Sequence, residues 1–318
     1  LFAKKADSIV DDFNAKKELT NVEKTPLQKM SEHVVPPPLP LQLNDAWNQW
    51  VQSCPRPPKL WILTPCYGCQ THVNYVADIL NTSRLLEKIG LPYVIEFCKN
   101  DSLVPRARNN LLAKAMSDPA MTHVLFIDAD IHWSPVSILQ LMMSNRGFVG
   151  GVYPQKKYTW DALMQDQVNS NPVKTLLLRH ESSLVKNMTS PQEYVRHNLV
   201  KYNVNYLQPT MDVVDSTVEV LHLPTGFLLV CREAIQQMQE AYPETKYKDD
   251  VGFLTEEEGK QAFALFDCGV VDGHYYSEDW MFCHRWRKGG GKVYMHVAIP
   301  LTHSGMEDYA GFVLSSLS

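Results

Sequence analysis

Several features that would settle the class of this chain early are missing from it. No apolar run approaches the ~20 residues a helix needs to cross a bilayer, so no membrane span is expected within it. A basic excess is missing too: 30 Lys and Arg stand against 35 Asp and Glu, a net charge of -5. A general nucleic-acid binder carries the opposite balance, and no nucleic-acid partner is expected. Seven cysteines are too few, and odd in number, for a disulfide scaffold. No internal repeat is visible. The chain begins at Leu1 rather than Met, which leaves room for a signal or anchor ahead of it.

What remains is the composition of an ordinary globular protein, long enough at 318 residues to bury a substantial core. Residues 1–58 differ from the rest: a charged, partly helical stretch to His33 is followed by the proline-rich "VVPPPLPLQ" and "SCPRPPK". Such backbone favours extended, solvated conformations, so this part reads as a stem or linker, or equally as an arm wrapped on the domain. Trp47 and Trp50 favour docking of at least their own segment.

From Lys59 to the end, residues 59–318, the pattern alternates strand and helix. "KLWILTP" reads as a first buried strand ended by Pro65, and "VNYVADILNTSRLLEKIG" as a helix with Val73, Val76, Ala77 and Leu80 at helical spacing. "LPYVIEFCK" is a second strand. "VPRARNNLLAKAMSD" is a helix with Pro105 near its start, where a missing N–H costs nothing. "THVLFI" is a third strand, and "SPVSILQLMMSN" a helix capped by Ser134. The second half adds the strand of "FVGGVYPQKK", two strands around the turn Pro224-Thr225-Gly226, and a helix, glycine stop and strand in "SEDWMFCHRWRKGGGKVYMHV". Short connections between alternating elements predict one open, mostly parallel α/β sheet.

The third strand runs directly into Asp128-Ala129-Asp130. Residues i and i+2 of a strand share a side, so both carboxylates can converge just beyond its carboxyl end. Open α/β sheets bind ligands at that edge. Two like charges so placed repel unless a cation joins them, and Mg²⁺ or Mn²⁺ prefers oxygen ligands while leaving positions for phosphate. The bland alternative is a pair of acids capping the next turn and facing water.

The stretch "ARNNLLAKAMSDPAMTHVLFIDADIHWSP" resembles the nucleotide-sugar half of GT-A-fold glycosyltransferases, particularly the family 2 type, where an A-R-N helix start precedes a strand ending in D-x-D. "SEDWMFCHRWRKGGGKVY" resembles the E-D motif of that group, and "WILTPCYG" its first strand and loop; the likeness spans about residues 59–311. It implies a Rossmann-like GT-A sheet, open, mixed and mostly parallel with helices on both faces. It also implies a UDP- or GDP-linked sugar donor, a glycan or glycoprotein acceptor, and Mn²⁺ or Mg²⁺ on the diphosphate. The expected compartment is the Golgi-like lumen of the secretory pathway, with the cytoplasm as the alternative. The sequons at Asn81 and Asn187 support secretion only weakly.

Carried over by position, the resemblance makes Asp130 the metal contact and gives Asp128 the ribose or a metal-bound water. It puts Thr64, Pro65 and Tyr67 around the base, and Arg106, Arg108 and Asn109 near the donor. Helical spacing sets Arg106 on the face of Asn109 and Arg108 on another. His303 resembles the late histidine that completes such a metal site with Asp128 and Asp130, while His132, His274 and His296 are weaker candidates. An inverting transferase needs a carboxylate to take the acceptor proton, and the E-D motif nominates Asp279 with Glu278 beside it. The competing reading makes these acids partners of a helix dipole, which would lower an Asp279 pKa. Lys156 or Lys157 is expected to reach phosphate. Thr225, Gly226 and Trp280 are expected at the acceptor, with Gly226 allowing close approach. Trp133 and Trp160 suit sugar stacking or plain packing.

Rivals are weaker. Cys66 and Cys69 form a C-x-x-C after a strand, but no second motif supports redox chemistry. A nucleotidyltransferase would show a glycine-rich basic loop after the first strand, and "TPCYGCQTH" is poor in both. A retaining transferase of the Anp1 type, sharing the A-R-N and D-A-D character, and a non-catalytic sugar or nucleotide binder on the same fold stay open.

Overall fold

The structure, a computed structural model, describes residues 40–163 and 172–316. Most of the expected stem, residues 1–39, lies outside them. The chain runs α1 (Pro40–Ser53), β1 (Leu60–Cys66), α2 (Val73–Lys88), β2 (Tyr93–Lys99), α3 (Val104–Ser117), β3 (His123–Ile127), β4 (Ile131–His132), α4 (Pro135–Met143) and β5 (Phe148–Gly150). It continues with β6 (Pro154–Tyr158), α5 (Pro172–Ser182), α6 (Pro191–Asn198), β7 (Val200–Tyr202), β8 (Asn205–Tyr206), β9 (Thr217–His222), β10 (Phe227–Cys231) and α7 (Arg232–Ala241). It closes with α8 (Glu256–Gly259), β11 (Gly269–Val271), β12 (His274–Tyr276), α9 (Glu278–Lys288), β13 (Val293–His296), β14 (Leu301–His303), β15 (Tyr309–Gly311) and α10 (Val313–Ser316).

Period-two burial builds the sheet. In β3, Val124 and Phe126 enter one core while Leu125 and Ile127 enter the other; in β10, Leu228 and Val230 oppose Phe227 and Leu229 in the same way. The central sheet has eight strands in the order β2-β1-β3-β10-β5-β13-β9-β8. Only β9 and β10 run against the common direction, so the sheet is mixed and mostly parallel. Helices cover both faces: α3, α7 and α9 on one, α1, α2 and α4 on the other. This is an α/β, Rossmann-like architecture. No helix among the described residues is long and apolar enough to cross a membrane.

The segment carrying Trp47 and Trp50 docks. Trp47 is fully buried, its ring lies 4.9 Å from that of Trp50, and Trp50 Nε1 donates to Asn145 Oδ1 at 2.7 Å. In α2 the sequence expectation picked the wrong face. Val73, Val76, Ala77 and Leu80 face solvent, and the helix buries Tyr75, Asp78, Ile79, Thr82 and Leu86 instead. The reason is polar: Asp78 accepts from the Trp133 backbone N–H at 2.9 Å and from His132, and Thr82 accepts from Trp133 Nε1 at 3.0 Å. A buried carboxylate held this way overrides a purely apolar count.

The two strands flanking Pro224-Thr225-Gly226 are not a hairpin. β9 and β10 run in the same direction, separated in the sheet by β13 and β5, so the link between them is a crossover and not a tight turn. That crossing delivers Gly226 to the end of β3, where its carbonyl accepts from the Asp128 backbone N–H at 3.0 Å.

Candidate active site

The carboxyl ends of β1, β2 and β3 open onto one cleft of about 570 Å³, whose lining includes Pro65, Tyr67, Asp101, Arg108, Asp128 and Asp130. Its organiser is Arg108. The guanidinium is buried, its Nη2 donates to Asp128 Oδ1 at 2.9 Å, and its Nε lies 3.6 Å from Glu278 Oε1. One arginine thus joins the D-A-D segment to the E-D segment, two motifs far apart in sequence. Its Cζ lies over the Phe126 ring, 6.0 Å from the centroid. Nε and Nη1 make no hydrogen bond among the described residues.

Asn109 is not in the cleft. Its amide clamps the backbone of Phe266, donating to the carbonyl at 2.7 Å and accepting from the N–H at 2.9 Å. Phe266 in turn packs edge-on against Phe126 at 5.1 Å, beneath Arg108. Arg106 also turns away, forming a two-pronged pair with Asp101, each prong 2.8 Å. The helical spacing read the separation of Arg108 correctly, and neither Asn109 nor Arg106 lines the cleft. Thr64 is likewise sealed below the cleft, its hydroxyl 2.6 Å from that of Tyr75, whereas Pro65 and the exposed Tyr67 do line it.

The two acids of D-A-D part company. Asp128 turns to Arg108; Asp130 turns to Lys156 Nζ at 2.5 Å and His303 Nε2 at 3.4 Å. Burial pushes the Asp130 carboxyl up, but His303 and Lys156 outweigh it and hold it down at about 2. His303 Nδ1 lies 2.9 Å from the Pro154 carbonyl, which can only accept, so Nδ1 carries a hydrogen and Nε2 is the nitrogen turned to Asp130. A carboxylate and an imidazole nitrogen so placed are ligand types that a divalent cation accepts. Among the described residues, however, no three His, Cys, Asp or Glu side chains are placed to hold a metal together. Of the expected set, the structure brings Asp130 and His303 together and turns Asp128 to Arg108 instead.

Asp279 begins α9. The Ser277 hydroxyl donates to Oδ1 rather than capping the helix, and the Trp280 backbone N–H also donates to it at 2.9 Å. Its pKa is raised, first by burial and then by Glu278. The expectation of a lowered value fails because burial exceeds the dipole and hydrogen-bond effects. Ser134 also stands at a helix start without a side-chain cap.

Gly226 allows a close approach, but of the protein's own groups. A Cβ there would lie 2.5 Å from Tyr153 Oη and 2.6 Å from Asp128 Oδ2. Tyr153 was missed by sequence reasoning. Its buried hydroxyl accepts from the Gly226 N–H at 3.2 Å, and its ring meets that of His303 edge-on at 4.9 Å. The only signal was "GGVYP", where two glycines precede a tyrosine. Thr225 is buried, and its hydroxyl has no hydrogen-bond partner among the described residues. Trp280, expected at the acceptor, stacks on His222 at 5.0 Å.

Other expectations resolve simply. Trp133 is core, and Trp160 is exposed beside Tyr158. Cys66 and Cys69 are unbridged, and burial pushes the Cys66 thiol up to about 11, which disfavours a reactive thiolate. His132 was rated weak, yet its Nδ1 pairs with buried Asp78, which raises its pKa. It opens on a second cleft of about 570 Å³.

No family model and no curated protein matches the chain. Among solved structures it is similar to A197 from STIV, at 14% identity and a TM-score of 0.39, over 80% of this chain and 94% of that one. It is also similar to the 4-diphosphocytidyl-2C-methyl-D-erythritol synthase of Anaerococcus prevotii DSM 20548, at 12% identity and a TM-score of 0.30, over 73% and 99%. Likenesses at these scores carry no function to this chain.

Proposed function

We propose that the protein is a glycosyltransferase that moves a sugar from a UDP- or GDP-linked donor to a hydroxyl of a glycan or glycoprotein, with inversion. The observation that carries this reading is the union, through Arg108, of Asp128 and Glu278 beside the cleft at the strand ends. Tyr67 and Pro65 hold the base of the donor at the cleft wall. Arg108 supplies fixed positive charge to the diphosphate, and Lys156 supplies a mobile one. Glu278 and Asp128 hold Arg108 in place from two sides. Asp279, made more basic than an ordinary aspartate by burial, takes the acceptor proton. As it does so the acceptor oxygen bonds to the anomeric carbon, and the bond from that carbon to the diphosphate oxygen breaks with its electron pair leaving on the diphosphate. Asp130 and His303 would hold Mn²⁺ or Mg²⁺, whose remaining positions suit diphosphate oxygens and water. When bound, that ion supplies charge neutralisation to the leaving group.

A thermal-shift screen of nucleotide sugars, with and without Mn²⁺, tests the reading. A metal-dependent rise in melting temperature with a UDP- or GDP-sugar is expected. If no nucleotide sugar stabilises the protein in this way, the reading is wrong. The anomer of any product decides stereochemistry, and an unchanged anomer would remove Asp279 as the base.

A further inference from the structure

Lys156 stands apart from the cluster around Arg108. Its ammonium sits on Asp130 Oδ2 at 2.5 Å, the same oxygen that His303 Nε2 faces at 3.4 Å. A divalent ion held by that carboxylate and imidazole would lie about 2.0–2.2 Å from the oxygen. That position is crowded by the ammonium and repelled by its charge. Lysine and metal therefore compete for one oxygen.

The surroundings let the lysine leave. β6 pairs with β7 only at Pro154–Tyr202 and Tyr158–Val200, with the register shifting between them, so Lys156 sits on the irregular stretch. The side chain is 35% exposed. Its stem passes over Gly305, where an added Cβ would come within 3.1 Å of Lys156 Cδ. A larger residue at 305 would crowd that path.

We propose that Lys156 is a cation placeholder. It neutralises Asp130 in the nucleotide-free protein and yields that oxygen to a divalent metal only when a diphosphate arrives to receive its ammonium. The inference rests on the diphosphate reading above. Its consequence is ordered binding. Metal alone leaves two cations competing for one carboxylate, whereas the diphosphate brings enough anionic oxygen for both.

The test follows Mn²⁺ by the electron paramagnetic resonance of the free ion. It compares the wild type, Lys156→Gln and the double variant Lys156→Gln/Asp130→Asn, each checked for an unchanged melting profile. Without nucleotide, Lys156→Gln is expected to bind Mn²⁺ roughly tenfold more tightly than the wild type, and the double variant to lose that gain. Equal affinity in the wild type and Lys156→Gln overturns the proposal. So does a gain that survives in the double variant, because Asp130 is then not the ligand. A second arm adds UDP or GDP, which should raise wild-type Mn²⁺ affinity to that of Lys156→Gln or beyond. Nucleotide that binds without changing Mn²⁺ affinity overturns the release step. If neither nucleotide binds at all, the diphosphate reading fails on its own, and the metal-only arm still decides whether Lys156 guards Asp130.

Discussion

Replacing Gly226 by alanine perturbs the centre of the site with a single methyl group. The new Cβ would stand 2.5 Å from Tyr153 Oη, 2.8 Å from Tyr153 Cζ and 2.6 Å from Asp128 Oδ2. Neither neighbour can simply swing away. Tyr153 is a buried ring packed against His303, and Asp128 is tied to Arg108 at 2.9 Å. Overpacking of this kind costs about 1–3 kcal/mol. At roughly 2–4 °C per kcal/mol for a domain somewhat smaller than this one, the melting temperature should fall by up to about 12 °C. Because relief comes most readily by pushing Asp128 off Arg108, binding of the best nucleotide from the donor screen should weaken as well. Gly90→Ala is the control. Gly90 has φ +70° with nothing within 4 Å of an added Cβ, so it suffers backbone strain of about 1–2 kcal/mol and no loss of binding. Scanning calorimetry and isothermal titration read the two effects. If Gly226→Ala melts and binds like the wild type, the tight contact of Gly226, Tyr153 and Asp128 is not as described.

The remaining predictions concern charge, burial and chemistry. Arg108→Met strands Asp128 and Glu278 without their shared partner and should cost about 3–5 kcal/mol in urea unfolding; Arg108→Lys, which keeps the charge without the fork, should recover part of it. Asp279→Asn should leave nucleotide binding intact and abolish transfer, and retained turnover would remove Asp279 as the base. His222 and His296 are buried, and burial lowers both to about 4 from an ordinary 6.5. The unfolded chain therefore takes up their protons first as pH falls. Stability should be full above about 6.5, decline by up to about 1.4 kcal/mol per pH unit for each histidine, and level off for these groups below about 4. Urea midpoints at pH 7 and pH 5.5 check this, and equal midpoints would contradict it. Trp47→Ala should cost about 3–5 kcal/mol, because the indole is fully buried against the sheet.

Much of the scaffold was legible because it is written in local periodicity. The runs that became β1, β2, β3, α3 and α4 each carry their own pattern, and the structure places them as read, except that β1 continues through Pro65 to Cys66 and Ser134 does not cap α4. The face of α2 was not legible. Its inward side is chosen by the Asp78 contacts to His132 and Trp133, which no helical count of apolar residues can anticipate. The β9–β10 crossing was missed for a related reason: two strands and a short turn look like a hairpin unless the positions of β13 and β5 are known. Within the site, residue types were readable and partners were not. Arg108, Asp128 and Glu278 were all singled out, yet only the fold joins them. Asn109 sits next to Arg108 in sequence and serves the Phe266 backbone instead. Tyr153 carried almost no signal, because its role depends on the Gly226 turn arriving from another part of the chain.

The most direct test of the central claim is a crystal structure of the protein with Mn²⁺ and the UDP- or GDP-nucleotide that stabilises it best. The account predicts the base against Tyr67, the diphosphate between Arg108 and Asp130, and Lys156 moved from Asp130 onto a phosphate oxygen at about 2.7–3.2 Å. A nucleotide seated instead in the cleft beside His132, with Arg108, Asp130 and Lys156 untouched, would contradict it.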